Sequence, residues 1–254
     1  MATQHLELDG PMPKRLLKEP LIEVIWQAQF DDANAGELLP GVLFTELRNL
    51  HPALAMQRLP AADIPAPLRK IDLNLQHAAK LRMEEPSGSF IWQVGDRLVS
   101  LNCKKPYVGW GTFKPEIERF IKIIEESGLV TALTRHSLRY LDLFTLDDPP
   151  DLSALNLKLV LGGHELDHHN LSMRVEIPDG DYVHNVQIAT PAKANLPGGQ
   201  LTGTLVDMEI VPSTTPNSWN GVRAQLEDLH GKSKDLFFHH VLSEQALKKL
   251  EPEY

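Results

Sequence analysis

Residues 80–86 (KLRMEEP), 89–95 (SFIWQVG) and 97–103 (RLVSLNC) are β-forming runs separated by nothing longer than Pro86-Ser87-Gly88-Ser89 and Gly95-Asp96. Connections this tight join only antiparallel neighbours, because a parallel crossover needs a dozen or more residues. The middle of the chain is therefore confined to an antiparallel meander. Trp92 shares a face with Phe90 and Val94, which makes it a core residue rather than a ligand platform.

A second set of strands follows at residues 155–161, 171–177, 182–190 and 202–211. Leu171, Met173, Val175 and Ile177 face inward against Ser172, Arg174 and Glu176; Val206, Met208 and Ile210 oppose Asp207 and Glu209. Pro178-Asp179-Gly180-Asp181 makes a hairpin turn, and a glycine-rich loop at 195–200 separates the last two strands.

The other segments supply helices and the first strand. Residues 1–20 read as an extended lead-in, and 21–30 as a strand with Ile22, Val24, Trp26 and Ala28 on one face. A helix is expected within 35–50, its start confined by Pro40 and Gly41, and then an irregular proline-containing loop over 51–70. Residues 107–144 read as a loop, a helix and a long strand. Thr112 is the expected cap and Pro115 sits in the first turn. Phe113, Ile117, Phe120, Ile121 and Ile124 form the buried stripe while Glu116, Glu118, Lys122 and Glu125 face water, and Ser127-Gly128 ends the helix. The closing helix is capped by Asn217 or Ser218, interrupted at Gly231, and resumes over 232–250.

Strand runs joined by hairpins, with helices between and after them, indicate an α+β fold and not a parallel βαβ sheet. We expect two similar antiparallel-sheet-plus-helix halves, 1–148 and 149–254, divided at Asp147-Asp148-Pro149-Pro150-Asp151 and sharing one continuous sheet with the helices on one face.

Composition narrows the partners. A chain of 254 residues, 42% of them hydrophobic, can bury a substantial core. A net charge of −9 with no basic cluster disfavours a nucleic-acid groove. No apolar run reaches the roughly 18 residues of a membrane span. The first 20 residues lack the apolar core of a signal peptide, and the single cysteine, Cys103, fits a reducing compartment, so a cytoplasmic protein is expected.

Tyr107, Gly109-Trp110 and Phe113, a helix, and then Arg135-x-x-Leu138-Arg139-Tyr140 form one patch of a larger pattern. Pro20-Leu21-Ile22-Glu23-Val24 at the first strand and Leu229-His230, Phe237, Phe238 and Leu242 near the end extend it. Together these patches resemble a sporadically distributed family of uncharacterised prokaryotic proteins. The resemblance implies kinship over most of the chain. The family has no established activity, so it implies no mechanism. Gly111 stands directly after Trp110 where a larger polar residue is the expectation, which argues against the loop as invariant machinery.

Among chemical motifs, His164-Glu165-Leu166-Asp167-His168 matches the two-histidine zinc-protease pattern. That chemistry needs both histidines one helical turn apart on one face. Gly162-Gly163 before it and a strand directly after it leave no room for such a helix, and a polar loop between strands is the expected form. A weaker metal set would combine His168 and His169 with His184. Arg135 and Arg139 point the same way from one strand and could hold a carboxylate or phosphate, or could pair with Asp207 and Glu209. Tyr107 and Trp110 could form the aromatic lip of a pocket, or pin their loop to the core. Cys103 reads as a buried inert thiol.

No coherent catalytic set emerges, and no cofactor is implied. The expected function is a non-catalytic binding or accessory protein with a protein or small-molecule partner, its candidate binding residues being Tyr107, Trp110, Arg135, Arg139 and Asp207. The alternatives are a metal-dependent hydrolase centred on His164 to His169 and a homo-oligomeric structural component.

Overall fold

The computed structural model of the protein describes residues 11–32, 34–196 and 198–254. The first half of the expected lead-in and Pro197 of the glycine-rich loop lie outside the described residues. Nine strands form one antiparallel sheet. In chain order they are β1 (Leu21–Phe30), β2 (Ala55–Arg58), β3 (Ala79–Glu84), β4 (Phe90–Gly95), β5 (Leu98–Lys104), β6 (Leu133–Phe144), β7 (Leu171–Asp179), β8 (Tyr182–Leu196) and β9 (Gly199–Pro212). Across the sheet the order is β7-β8-β9-β6-β1-β5-β4-β3-β2. The chain is α+β, as its hairpin spacing requires.

Two meanders are fused through the central pair β1 and β6, with Trp26 opposite Leu138. The expected division near residue 148 falls in the loop after β6, and the sheet continues across it because β6 pairs with β9. Val24, Trp26, Ala28 and Phe30 of β1 turn to the side covered by α1 (Ala35–Leu50), α2 (Trp110–Ser127) and α3 (Trp219–Asp235). Trp26 packs edge-on against Phe120 of α2, with ring centroids 6.2 Å apart. The opposite face is polar. There Gln27 and Ser137 both donate to Glu209, at 3.0 and 2.6 Å, and Asn102 donates to Glu23 at 2.8 Å.

Several elements depart from the sequence expectation. Helix α1 starts at Ala35, so Pro40 lies inside it. The N–H that proline lacks would have bonded the Gly36 carbonyl, which instead accepts from Lys80 Nζ at 3.3 Å. Helix α2 likewise starts at Trp110, with Gly109 rather than Thr112 preceding it and Pro115 at the sixth position. At Gly36 a Cβ would meet the Asp96 backbone at 2.5 Å, so the close approach of β4's end to α1 requires glycine there. Glu116 is buried and pairs with Arg119 instead of facing water.

Residues 51–70 contain the edge strand β2, whose four residues are all exposed and so carry no apolar alternation. Of 155–161, only Val160–Leu161 is strand. On β7, Val175 and Ile177 are 37% and 44% exposed because this edge strand lies beyond the helical cover. Ser218 caps α3 by accepting from the Gly221 N–H at 3.2 Å, and the helix runs through Gly231. It widens into a π-turn, Leu236–Val241, and only after Leu242 does α4 (Glu244–Lys249) begin. Arg15–Leu16 pairs with Pro252–Glu253, clasping the lead-in to the last residues of the chain.

Candidate functional site

The two arginines of β6 are neutralised by their neighbours. Arg139 Nε donates to Asp207 at 2.6 Å and its terminal nitrogen closes a bidentate pair. Arg135 lies 2.8 Å from Glu209. Burial works against the ionised Glu209, but its bonds from Arg135 and Ser137 outweigh this and hold its pKa below the usual carboxylate value. These groups sit on the polar face of the sheet, away from the helices.

His164–Glu165 is a two-residue strand paired with Val160–Leu161, so His164 and His168 do not share a helical turn. His168 lies 3.1 Å from Asp151, whereas His184 points to the helical side of β8, 3.2 Å from Asp179. His169 belongs to the exposed turn before β7. Among the described residues no group of three His, Cys, Asp or Glu side chains could hold a metal ion. Cys103 is fully buried, and that burial pushes its thiol pKa up.

Tyr107 and Trp110 do meet a cavity. Its volume is about 490 Å³, and it lies between the end of α3, strand β6 and the clasped lead-in. Gly109 precedes α2 with φ at +82°, a conformation that turns the chain from the Tyr107 loop into the helix and that glycine adopts without a steric penalty. Trp110 then stacks on His230 of α3, centroids 4.3 Å apart and planes within 10°. Its indole N–H donates to Glu227 at 3.0 Å, and Lys114 holds the same carboxylate at 2.6 Å. The π-turn brings Phe237 and Phe238 to the wall.

Asp142 and Tyr140 of β6 line the same cavity. The Tyr140 hydroxyl lies 2.8 Å from His230 Nδ1. Asp142 is 3% exposed and has no hydrogen-bond or ion-pair partner among the described residues. The buried Tyr107 hydroxyl makes no hydrogen bond of normal length, its contact with the Tyr140 hydroxyl being longer, though each affects the other's titration. Burial, then the nearby charge of Glu19, pushes the Asp142 carboxyl well above its usual range. Burial also raises Glu19, against the opposing charge of Lys105. His230 is brought down to about 4 by burial and, secondarily, by Lys234, so it is neutral at pH 7.

Glu19, Tyr140, Asp142 and His230 were not among the candidate site residues, although Tyr140 and His230 lie in the patches that carry the resemblance. Asp142 carried a signal there, since it interrupts the otherwise apolar inward stripe Leu138, Tyr140, Phe144. The positions of Glu19 and His230 depend on tertiary assembly. Leu21 pairs with Asp142, and a bulge follows before Glu23, which sets the lead-in against the end of β6.

Among the described residues no helix is long and apolar enough to cross a membrane. Comparison with family models, with curated proteins and with solved structures returns no match.

Proposed function

We propose that the protein is a non-catalytic binding protein of a reducing, cytoplasmic compartment, and that the cavity beside Tyr107, Trp110 and Asp142 holds a small molecule. One observation carries this reading. A cavity whose wall includes Tyr107, Trp110, Tyr140, Phe237 and Phe238 contains a carboxyl group and a hydroxyl without a hydrogen bond of normal length among the described residues. Buried polar groups are nearly always satisfied, and those aimed into an apolar cavity supply the few fixed contacts by which a pocket orients its ligand.

Of the candidate binding residues, Tyr107 and Trp110 belong to this reading. Arg135, Arg139 and Asp207 stand on the other face, where the Arg139–Asp207 and Arg135–Glu209 pairs make them supports of the sheet.

Native mass spectrometry of the purified protein, followed by a thermal-shift screen against a chemically diverse small-molecule set, tests the proposal. A bound compound whose stabilising effect is lost in Tyr107→Phe and Asp142→Asn is the expected result. Binding that survives both substitutions would place the ligand elsewhere and overturn it.

A further inference from the structure

The charges around the cavity restrict what it can accept. Asp142, which is buried, and Glu19 both line it, so an anion would meet two carboxyl groups. The cations nearby are mostly engaged. Lys14 Nζ donates to the Tyr254 carbonyl at 2.9 Å, Arg15 pairs with Glu253 at 2.6 Å, and Lys105 Nζ donates to the Glu19 carbonyl at 2.8 Å. Lys234 remains, on the helical wall beside His230, and the imidazole itself is uncharged at neutral pH. Lys105 acts on Asp142 only at a distance, outweighed by burial and Glu19, and among the described residues no cation forms an ion pair with Asp142.

The walls add to this selection. Tyr107, Trp110, Tyr140, Phe237 and Phe238 line one space, and aromatic faces carry the negative end of their quadrupole toward a cation. The unpartnered groups also indicate hydrogen-bond direction. An ionised Asp142 only accepts, and the Tyr107 hydroxyl has lone pairs free, so a ligand presenting more than one N–H satisfies both. A quaternary ammonium has none to give. The volume leaves room for a ring or a short alkyl chain beside the charged group.

We infer that the cavity takes an organic ammonium ion, a primary amine on an apolar or aromatic body, with Asp142 as its counter-ion. The inference rests on the reading of this cavity as a binding site and names the class of ligand.

The test uses matched probes titrated calorimetrically into the full chain: phenethyl, indolylethyl and hexyl bodies, each ending in an ammonium, a hydroxyl or a carboxylate. For at least one body the amine is expected to bind about tenfold or more tightly than its alcohol and its acid. Asp142→Asn is expected to abolish that preference while retaining the weaker alcohol binding, which also shows that the variant folds. If alcohol or acid binds as well as amine to the unaltered protein, the cation assignment is wrong and the binding site stands. An amine preference that survives in Asp142→Asn overturns the role given to Asp142. Failure of every probe to bind overturns the site and the assignment together.

Discussion

The Tyr140 hydroxyl and His230 Nδ1, 90 positions apart in the chain, lie 2.8 Å from one another and join the central strand β6 to helix α3. Burial, and secondarily the charge of Lys234, keep the imidazole neutral there, with its pKa near 4 in the folded chain and about 6.5 when unfolded. Between those values the unfolded chain holds a proton that the folded chain refuses. Stability from this group is therefore complete above pH 6.5 and falls as pH drops toward 4.

His230→Phe removes the titration and retains a ring against Trp110. Urea unfolding at pH 7 and pH 5 should show a smaller loss between the two pH values in the variant, by roughly 1 kcal/mol after allowing for the partial exposure of His230. The variant should also be weaker at pH 7, since the Tyr140 hydroxyl is left unpaired at a cost of about 1–3 kcal/mol.

Arg139 and Asp207 give a prediction of different form. Asp207 is 6% exposed and its bidentate partner is its main source of charge compensation. Arg139→Met should cost about 2–4 kcal/mol in denaturant unfolding, because a carboxylate is stranded. Adding Asp207→Leu should restore most of the loss, since an apolar pair replaces the ionic one. Binding at the cavity should be unchanged in the double variant, which separates the support role of these residues from the ligand-holding role first considered for them.

Gly109 and Gly111 flank Trp110, and neither has an atom within 4 Å of where a Cβ would stand. Space is thus not the issue for either. Gly109 has φ at +82°, so Gly109→Ala should destabilise by about 1 kcal/mol through backbone strain alone. Gly111 is helical, and Gly111→Ala should stabilise by about 0.5–1 kcal/mol through helix propensity. Thermal unfolding of the two variants should show shifts of opposite sign.

How much of this was readable beforehand depends on whether local pattern or tertiary assembly decides each feature. Trp92 and the β4–β5 hairpin were legible because alternation and a two-residue turn act over a few positions. Strand β2 was not, since Ala55, Met56, Gln57 and Arg58 are all exposed and only pairing with β3 makes them strand. Pro40 and Pro115 misplaced two helix starts, because local rules put proline in the first turn, whereas here a side chain from β3 serves the carbonyl that Pro40 leaves free. Tyr107 and Trp110 were picked out by being aromatic beside glycines. The cavity they border needs Glu19 from the lead-in and His230 from α3, and no spacing rule relates those positions to Asp142.

Asp142 provides the last prediction. Its folded carboxyl stays protonated above the unfolded value of about 3.9, so unfolding releases a proton in that range. Stability accordingly falls as pH rises from about 3.9 through the raised folded pKa, which is the reverse of the His230 dependence. Asp142→Asn has the shape of the protonated acid and no charge to desolvate. In the ligand-free protein it should raise stability at pH 7 by about 1 kcal/mol or more, and the difference should shrink toward pH 4, where both side chains are neutral. Urea unfolding of both proteins across this range measures it. If the variant is instead the weaker at pH 7, Asp142 is ionised and compensated in the resting protein, and its cavity is not waiting for a counter-ion.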